Sequence, residues 1–306
     1  MERKVIQVEE RPPLLLNIPL SIQHLFAMFG STVLVPFLFG VNPTTCLFMN
    51  GIGTLLYIFL TKGKIPSYLG SSFAFISPVL LILSTSGYAD AQSGFIVFGL
   101  LFMLFSIIIH YVGTSWIDVI FPPAAMGAII AVIGLELAPV AANMAGLTGD
   151  NIQPVNIAVS MFTLAVGIIG SVAFRGFMSI IPILFGVICG YVFAAFMGMV
   201  NFQPIIDAPW LQLPHFYAPN FNLNAIMIIA PAALVVLAEH IGHLVVTGNI
   251  VERNLIKDPG LSRSLFADGL SSPVLPAQLL IPPTAKISAL WQLPRFTASG
   301  LSAALL

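Results

Sequence analysis

Charged residues are scarce in this sequence: Asp, Glu, Lys and Arg make up 8% of its 306 residues, while 58% are hydrophobic. A soluble chain of this length cannot hide so much apolar surface in one core, and its mean hydropathy is +1.00. No basic patch for nucleic acid is present. The two cysteines, Cys46 and Cys189, lie in apolar segments, so we expect neither a disulfide nor a cysteine metal site. The composition predicts a protein whose solvent is the lipid bilayer.

Apolar runs of nearly membrane-spanning length recur along the chain. Crossing ~30 Å of hydrocarbon takes roughly 20 helical residues. Eight runs approach that length, and they predict an all-α polytopic membrane protein. The predicted spans are Leu14–Phe37, Leu47–Leu60, Tyr68–Leu83, Phe95–Tyr111, Ile117–Leu137, Ile157–Phe174, Ile180–Val200 and Ala225–Val251.

The basic residues give these eight spans an orientation. If the N-terminus lies inside, every Lys and Arg up to Arg263 falls in an inside segment, as the positive-inside rule requires. The N-terminus also lacks the short apolar core and cleavage site of a secretory signal. We therefore expect a multi-pass protein of the cytoplasmic (inner) membrane with a cytoplasmic N-terminus.

The third span begins irregularly, because Pro66–Phe73 carries Pro, Gly and three serines to membrane depth. Irregular backbone is tolerated there only when it is buried in protein or lines a cavity. The segment predicts a broken helix of the kind that holds substrates in transporters. The alternative is a loop that enters an ordinary helix at Phe73.

Glu239 and His243 lie one turn apart in the eighth span and share a helix face. A carboxylate at membrane depth is expensive unless it meets a partner, a cavity or a ligand, so the pair predicts a transport or proton-relay site. A buried acid and histidine that merely satisfy neighbouring helices are the structural alternative. His240 lies about 100° round the helix and is the weaker candidate. Together the three raise the question of a metal site, but they do not form the H-E-x-x-H motif of zinc hydrolases, and we expect no metal.

Four motifs resemble the nucleobase–ascorbate transporter (nucleobase:cation symporter-2) family and, within it, the bacterial uracil permeases. They are IQHLFAM at 22–28, YLGSSFAF at 68–75, FPPAAMG at 121–127 and AEHIGH at 238–243. The resemblance runs from about Glu10 to Ser272, and the motifs occur in the family's order.

The resemblance implies a fold of two inverted seven-span repeats that form a core domain and a gate domain. It assigns residues 1–112 to the first half of the core, 113–200 to the first half of the gate, 201–222 to an outside loop and 223–272 to the start of the second core half. It also implies uracil transport by proton symport, without a cofactor other than the proton gradient, and a homodimer at full length.

The resemblance also implies roles for individual residues. Glu239, Phe73 and Ser72 correspond to substrate-binding positions, with Glu239 as the acid that hydrogen-bonds uracil. His243, His24 and Glu239 correspond to positions linked to proton coupling. His24 belongs to a polar Gln23–His24 pair in the first span.

The tail, residues 273–306, departs from the family. The family expects a second substrate-binding glutamate in a T-Y-G-E-N context, and the tail has none. Codons for Pro276–Pro294 can be chosen so that another reading frame gives GSTPNTTYGENIGVMAIT. This agreement predicts a frameshift near Ser272–Pro273, an out-of-frame tail and a truncated carrier. We expect such a product to be unstable and not to transport.

Three other functions stay open on the sequence. The first, from the same class as uracil transport, is a carrier of xanthine, uric acid or another nucleobase. Glu239, His240 and His243 allow an intramembrane metalloenzyme. The departure of the tail allows a nonfunctional gene remnant.

Overall fold

The structure is a computed structural model that describes residues 14, 18, 30–65, 67–148, 152–175, 178, 182–201, 203–206, 217–272 and 283–287. It is mainly helical. The helices are α1 (Pro43–Leu60), α2 (Ile76–Thr85), α3 (Tyr88–Val112), α4 (Pro123–Glu136), α5 (Ala138–Met144), α6 (Pro154–Ala173), α7 (Pro182–Phe196), α8 (Leu223–Ile229), α9 (Ala232–Val251) and α10 (Leu261–Ser271). The strands are β1 (Ser67–Ser71) and β2 (Pro283–Ile287), and the shorter helical turns are Gly30–Leu34, Val35–Leu38, Phe73–Phe75, Ile117–Ile120, Gln203–Ile206 and Ile256–Gly260.

Five described helical segments are long and apolar enough to cross a membrane, and two shorter apolar helices accompany them. The prediction of an all-α polytopic membrane protein is therefore confirmed in its main feature. The first predicted span, Leu14–Phe37, lies mostly outside the described residues. The long segments are Pro43–Leu60, Tyr88–Val112, Ala124–Met144, Pro154–Ala173 and Leu223–Asn249, and the shorter ones are Phe73–Thr85 and Pro182–Phe196.

The third span is broken, as the sequence predicts. Extended chain in β1 gives way to a short 3₁₀ turn and then to α2. The buried backbone finds a partner in α1, where Thr54 Oγ1 accepts a hydrogen bond of 3.1 Å from the amide of Leu69. The break is therefore an ordered, buried element, and the alternative of a loop entering an ordinary helix does not describe it.

Two short strands accompany the helices. β1 and β2 pair antiparallel, with Ser67 opposite Ile287 and Ser71 opposite Pro283. The tail, in which the sequence predicts no span, thus supplies the strand that pairs with β1. Hydropathy could not reveal this pairing, because a five-residue strand is too short to show as a membrane-spanning run.

The buried core joins helices from the first and the last parts of the described chain. α10 packs against α3 and α1, and α8 packs against α3, while α6 and α7 pack against each other. At the N-terminal end of α3, the carboxylate of Asp90 accepts a hydrogen bond of 2.6 Å from each of two side chains, Asn220 and Asn222. These bonds attach the segment that enters α8 to the beginning of α3.

The contact between α10 and α3 depends on Gly269. A Cβ atom at this position would lie 2.9 Å from the carbonyl oxygen of Gly99, the amide nitrogen of Met103 and the Cβ of Phe102. Two of these three atoms belong to backbone, which cannot move aside as a flexible side chain can. The helices therefore approach as closely as a hydrogen side chain allows, which is a common device in membrane helix packing.

We expect Gly269→Ala to lower the free energy of unfolding by about 1–3 kcal/mol, the usual cost of overpacking. The matched control is Gly51→Ala in α1, where an added Cβ meets no heavy atom within 4 Å. That change should be neutral or stabilising by up to about 1 kcal/mol, because alanine favours helix. Thermal unfolding of both purified variants in detergent measures the difference, and equal midpoints would contradict this account of the α3–α10 contact.

Candidate functional site

Glu239 and His243 both lie in α9, as the sequence predicts, and both are half-buried. Their spacing places them on one face of the helix, one turn apart. The hydroxyl of Thr247, a further turn along, donates 2.7 Å to the carbonyl oxygen of His243. The carboxyl and imidazole groups therefore project side by side from a continuous helix within the membrane.

The carboxylate of Glu239 meets the break in the third span. Ser72 Oγ donates a hydrogen bond of 2.9 Å to Glu239 Oε2. The same Ser72 oxygen accepts 3.3 Å from the amide of Ala74 and so caps the 3₁₀ turn that begins at Phe73. Ser72 is fully buried, and Phe73 is half-buried against the core. The structure thus brings together three of the residues that the sequence singles out.

The remaining predicted site residue, His24, lies outside the described residues, as does its neighbour Gln23. The structure therefore does not test the role in proton coupling that the resemblance implies for His24. The prediction stays open on that point.

His240 has a larger role than its sequence position indicates. Its Nδ1 lies 2.9 Å from Asp268 Oδ2, and its Nε2 lies 2.8 Å from Ser264 Oγ. The oxygens of Ser264 and Tyr57 are in turn 2.6 Å apart. All four residues have 0% exposure. Sequence reasoning ranked His240 below its neighbours because its partners are remote in the chain, and because Asp268 lies in a helix with Arg263 and several serines, where an acid does not stand out.

The order Asp268, His240, Ser264 matches the hydrogen-bond order of a serine hydrolase triad. Two observations argue against a nucleophile here. Ser264 has no exposed surface, and the Tyr57 hydroxyl already occupies a second hydrogen-bonding position of its oxygen. The arrangement is a closed network that holds helices together.

The metalloenzyme considered from the sequence requires the nitrogens of His240. Both ring nitrogens of this residue are engaged by Asp268 and Ser264. Among the residues that the structure describes, no group of three or more His, Cys, Asp or Glu side chains is arranged to hold a metal ion. The three-ligand zinc site is thus not assembled in this part of the chain.

A cavity of about 380 Å³ opens at the end of α9 that leads to Glu252. Its lining begins at Leu244, which is roughly 7 Å along the helix from Glu239 at 1.5 Å per residue. Neither Glu239 nor Ser72 lines it. The cavity is therefore separate from the meeting point of α9 and the broken span.

A family model described as "Permease family" matches residues 16–279. The chain is 60% identical to a uracil permease of Paenibacillus larvae over 278 residues, which cover 89% of this chain and 66% of the relative. It is 62% identical to a uracil permease of Escherichia coli K12, with 89% and 64% covered, and 45% identical to one of Bacillus subtilis, with 86% and 63% covered. The chain spans just under two thirds of the length of these relatives.

We expect Ser72→Ala to lower the free energy of unfolding by about 1–3 kcal/mol, because Glu239 loses a hydrogen-bond donor in a partly buried place. The matched control is Ser84→Ala, which removes an exposed hydroxyl whose 2.7 Å bond goes to the backbone of Leu81. That change should alter the free energy of unfolding by no more than about 0.5 kcal/mol. Thermal unfolding in detergent compares the two, and a Ser72→Ala midpoint equal to that of the control would count against the Ser72–Glu239 bond.

Proposed function

This chain belongs to the Permease family, which comprises the nucleobase–ascorbate transporters, and on that premise we propose that it carries the uracil-binding half-site of a uracil permease. The single observation that carries the proposal is the Ser72–Glu239 hydrogen bond at the break in the third span. It places an intramembrane carboxylate beside irregular backbone, where hydrogen-bond donors and acceptors are both available. The relatives named uracil permease support the choice of substrate.

Uracil suits these groups chemically, because the edge of its small neutral ring alternates N–H donors and C=O acceptors. The carboxylate of Glu239 accepts from a ring N–H, and backbone amides near Ser72 donate to a ring carbonyl. The aromatic ring of Phe73 covers the face of the base. A site that pairs polar groups in this way discriminates against rings that would leave them unpaired.

Proton symport belongs to the same proposal. Glu239 and His243 share a helix face, and a histidine changes charge within the physiological pH range. Together they form a pair that can take up and release a proton as uracil binds and leaves. His24 joins them from the first span, and the proton gradient across the cytoplasmic membrane supplies the energy.

The orientation and the domain organisation complete the proposal. The N-terminus lies in the cytoplasm. Residues 1–112 form half of the core domain, 113–200 half of the gate, and 223–272 the start of the second core half. A homodimer forms at full length. Because the chain spans just under two thirds of its relatives, the complete carrier requires the remaining third.

A frameshift near Ser272–Pro273 accounts for the composition of the tail in this proposal. Resequencing the DNA across the codons for Leu270–Arg295 tests it directly. A restored frame that encodes the second glutamate supports a complete carrier, and an unchanged sequence supports a truncated one. A reading frame that encodes no such motif in any phase contradicts the frameshift.

We expect Glu239→Gln to lower the initial rate of uracil uptake by about tenfold to a hundredfold, because an acceptor oxygen becomes an NH₂ donor and a charged hydrogen bond is lost. Uptake of labelled uracil is measured in cells that lack their own carrier. The cells make residues 1–272 followed by the remaining third of the Paenibacillus larvae relative, and cells that make this chain, for which we expect no transport, are measured beside them.

The matched control is Asp258→Asn, since Asp258 is 70% exposed in the turn between α9 and α10, outside the membrane-spanning segments, and pairs with the partly exposed Lys64. Its uptake rate should stay within about twofold of the unsubstituted chain, as for surface changes generally. Excess unlabelled xanthine and uric acid test the substrate. Competition by xanthine at the concentration at which uracil competes would reassign the substrate, and uracil uptake unaffected by Glu239→Gln would refute the site.

A further inference from the structure

The network centred on His240 joins three helices behind the candidate site. His240 lies in α9, Ser264 and Asp268 lie in α10, and Tyr57 lies in α1. The links measure 2.9, 2.8 and 2.6 Å, and no member is exposed. The ring of Phe102 from α3 closes the remaining side, at 6.2 Å between centroids and nearly perpendicular to the imidazole. In a buried network of this kind each hydrogen bond matters, because an unpaired polar group costs more there than it does in water.

The bond to Asp268 is the critical one. Asp268 Oδ2 meets His240, while Asp268 Oδ1 is buried and has no hydrogen-bond partner among the residues that the structure describes. Within that part of the chain, His240 Nδ1 is therefore the side-chain group that compensates this buried carboxyl. Removing one partner of a buried hydrogen bond is costly, because it leaves the other group unsatisfied.

His240 follows Glu239 directly in the chain, and the two side chains project about 100° apart on the helix. Ser72 bonds to Glu239 on one face of α9, and α10 bonds to His240 on another. If His240 lost its bonds to α10, the helix could rotate about its axis. A rotation of the helix moves Glu239 away from the break in the third span.

We propose that His240 is a positioning residue that fixes the rotation of α9 through its Nδ1 bond to Asp268, so that Glu239 faces Ser72. This role rests on the proposed function only for its effect on transport. The contact between Glu239 and Ser72 exists without substrate. His240 itself does not touch the substrate. It acts through Glu239.

Two substitutions separate the bonds of the imidazole. In His240→Asn the side-chain amide can take the place of Nδ1 and keep the hydrogen bond to Asp268. In His240→Gln the amide can take the place of Nε2 and keep the hydrogen bond to Ser264. We expect His240→Asn to retain the position of α9 and His240→Gln to lose it. A second change, Asp268→Asn, should partly restore His240→Gln, because it removes the carboxyl that had lost its partner.

The first measurement needs no substrate. Ser72→Cys and Glu239→Cys are introduced into the 306-residue chain, with Cys46 and Cys189 replaced by alanine, and a short bifunctional thiol reagent is applied in native membranes. We expect the cross-linking yield to fall about threefold or more with His240→Gln and to stay within about twofold with His240→Asn, since a shift of roughly 1 Å already matters at such a site.

The second measurement is uracil uptake, made in the two protein forms described above. We expect His240→Gln to raise KM about tenfold with a much smaller change in maximal rate per molecule, whereas loss of folded protein would lower the maximal rate alone. His110→Asn and His110→Gln are the matched controls, because His110 is exposed on α3. Neither should change KM or cross-linking.

The outcomes are distinguishable. Equal losses for His240→Asn and His240→Gln, or no rescue by Asp268→Asn, would show that His240 contributes only bulk and would overturn the inference. Unchanged cross-linking in both variants would overturn it as well. If residues 1–272 joined to the remaining third of the relative take up no uracil while the cross-linking asymmetry persists, the proposed function fails and the positioning role stands.

Discussion

The structure depends on one constraint: a polar group at membrane depth must find its partner within the protein, because the lipid offers none. Where the third span departs from a helix, several of its backbone groups find such partners. The amide of Leu69 reaches the hydroxyl of Thr54, β1 pairs with β2, and Ser72 caps the turn that follows. Irregular chain and helix can therefore coexist at the same depth, and the irregular part becomes a place where a ligand can also be bound.

The same constraint explains why the described core is assembled from distant parts of the chain. Asp268 needs His240, His240 also needs Ser264, and Ser264 needs Tyr57. Each polar residue thus requires another helix. Close contact between these helices is possible because Gly269 brings α10 onto α3 without an intervening side chain. The small residue therefore allows the close helix contact, and the close contact allows the buried polar residues to pair.

Local patterns predicted the features that depend on local physics. Hydropathy located the described spans, the run of Pro, Gly and Ser predicted the break, and helical spacing placed Glu239 with His243. The sequence did not predict the network of His240, because its hydrogen bonds join residues 24, 28 and 207 positions apart. It did not predict the β1–β2 pairing for a similar reason. Periodicity describes which face of a helix is polar, whereas the identity of the group opposite that face is a property of the assembled fold.

The adjacent residues Glu239 and His240 of α9 consequently have different roles. His240 is fully buried, and both of its nitrogens are engaged, so it has no capacity left for a ligand. Glu239 is half-buried, and the bond it accepts from Ser72 leaves other lone pairs on its two oxygens. A binding group must be able to exchange partners, while the group that holds it in place must not. The fold satisfies both needs within two consecutive residues, because a helix turns them about 100° apart and gives each a different environment.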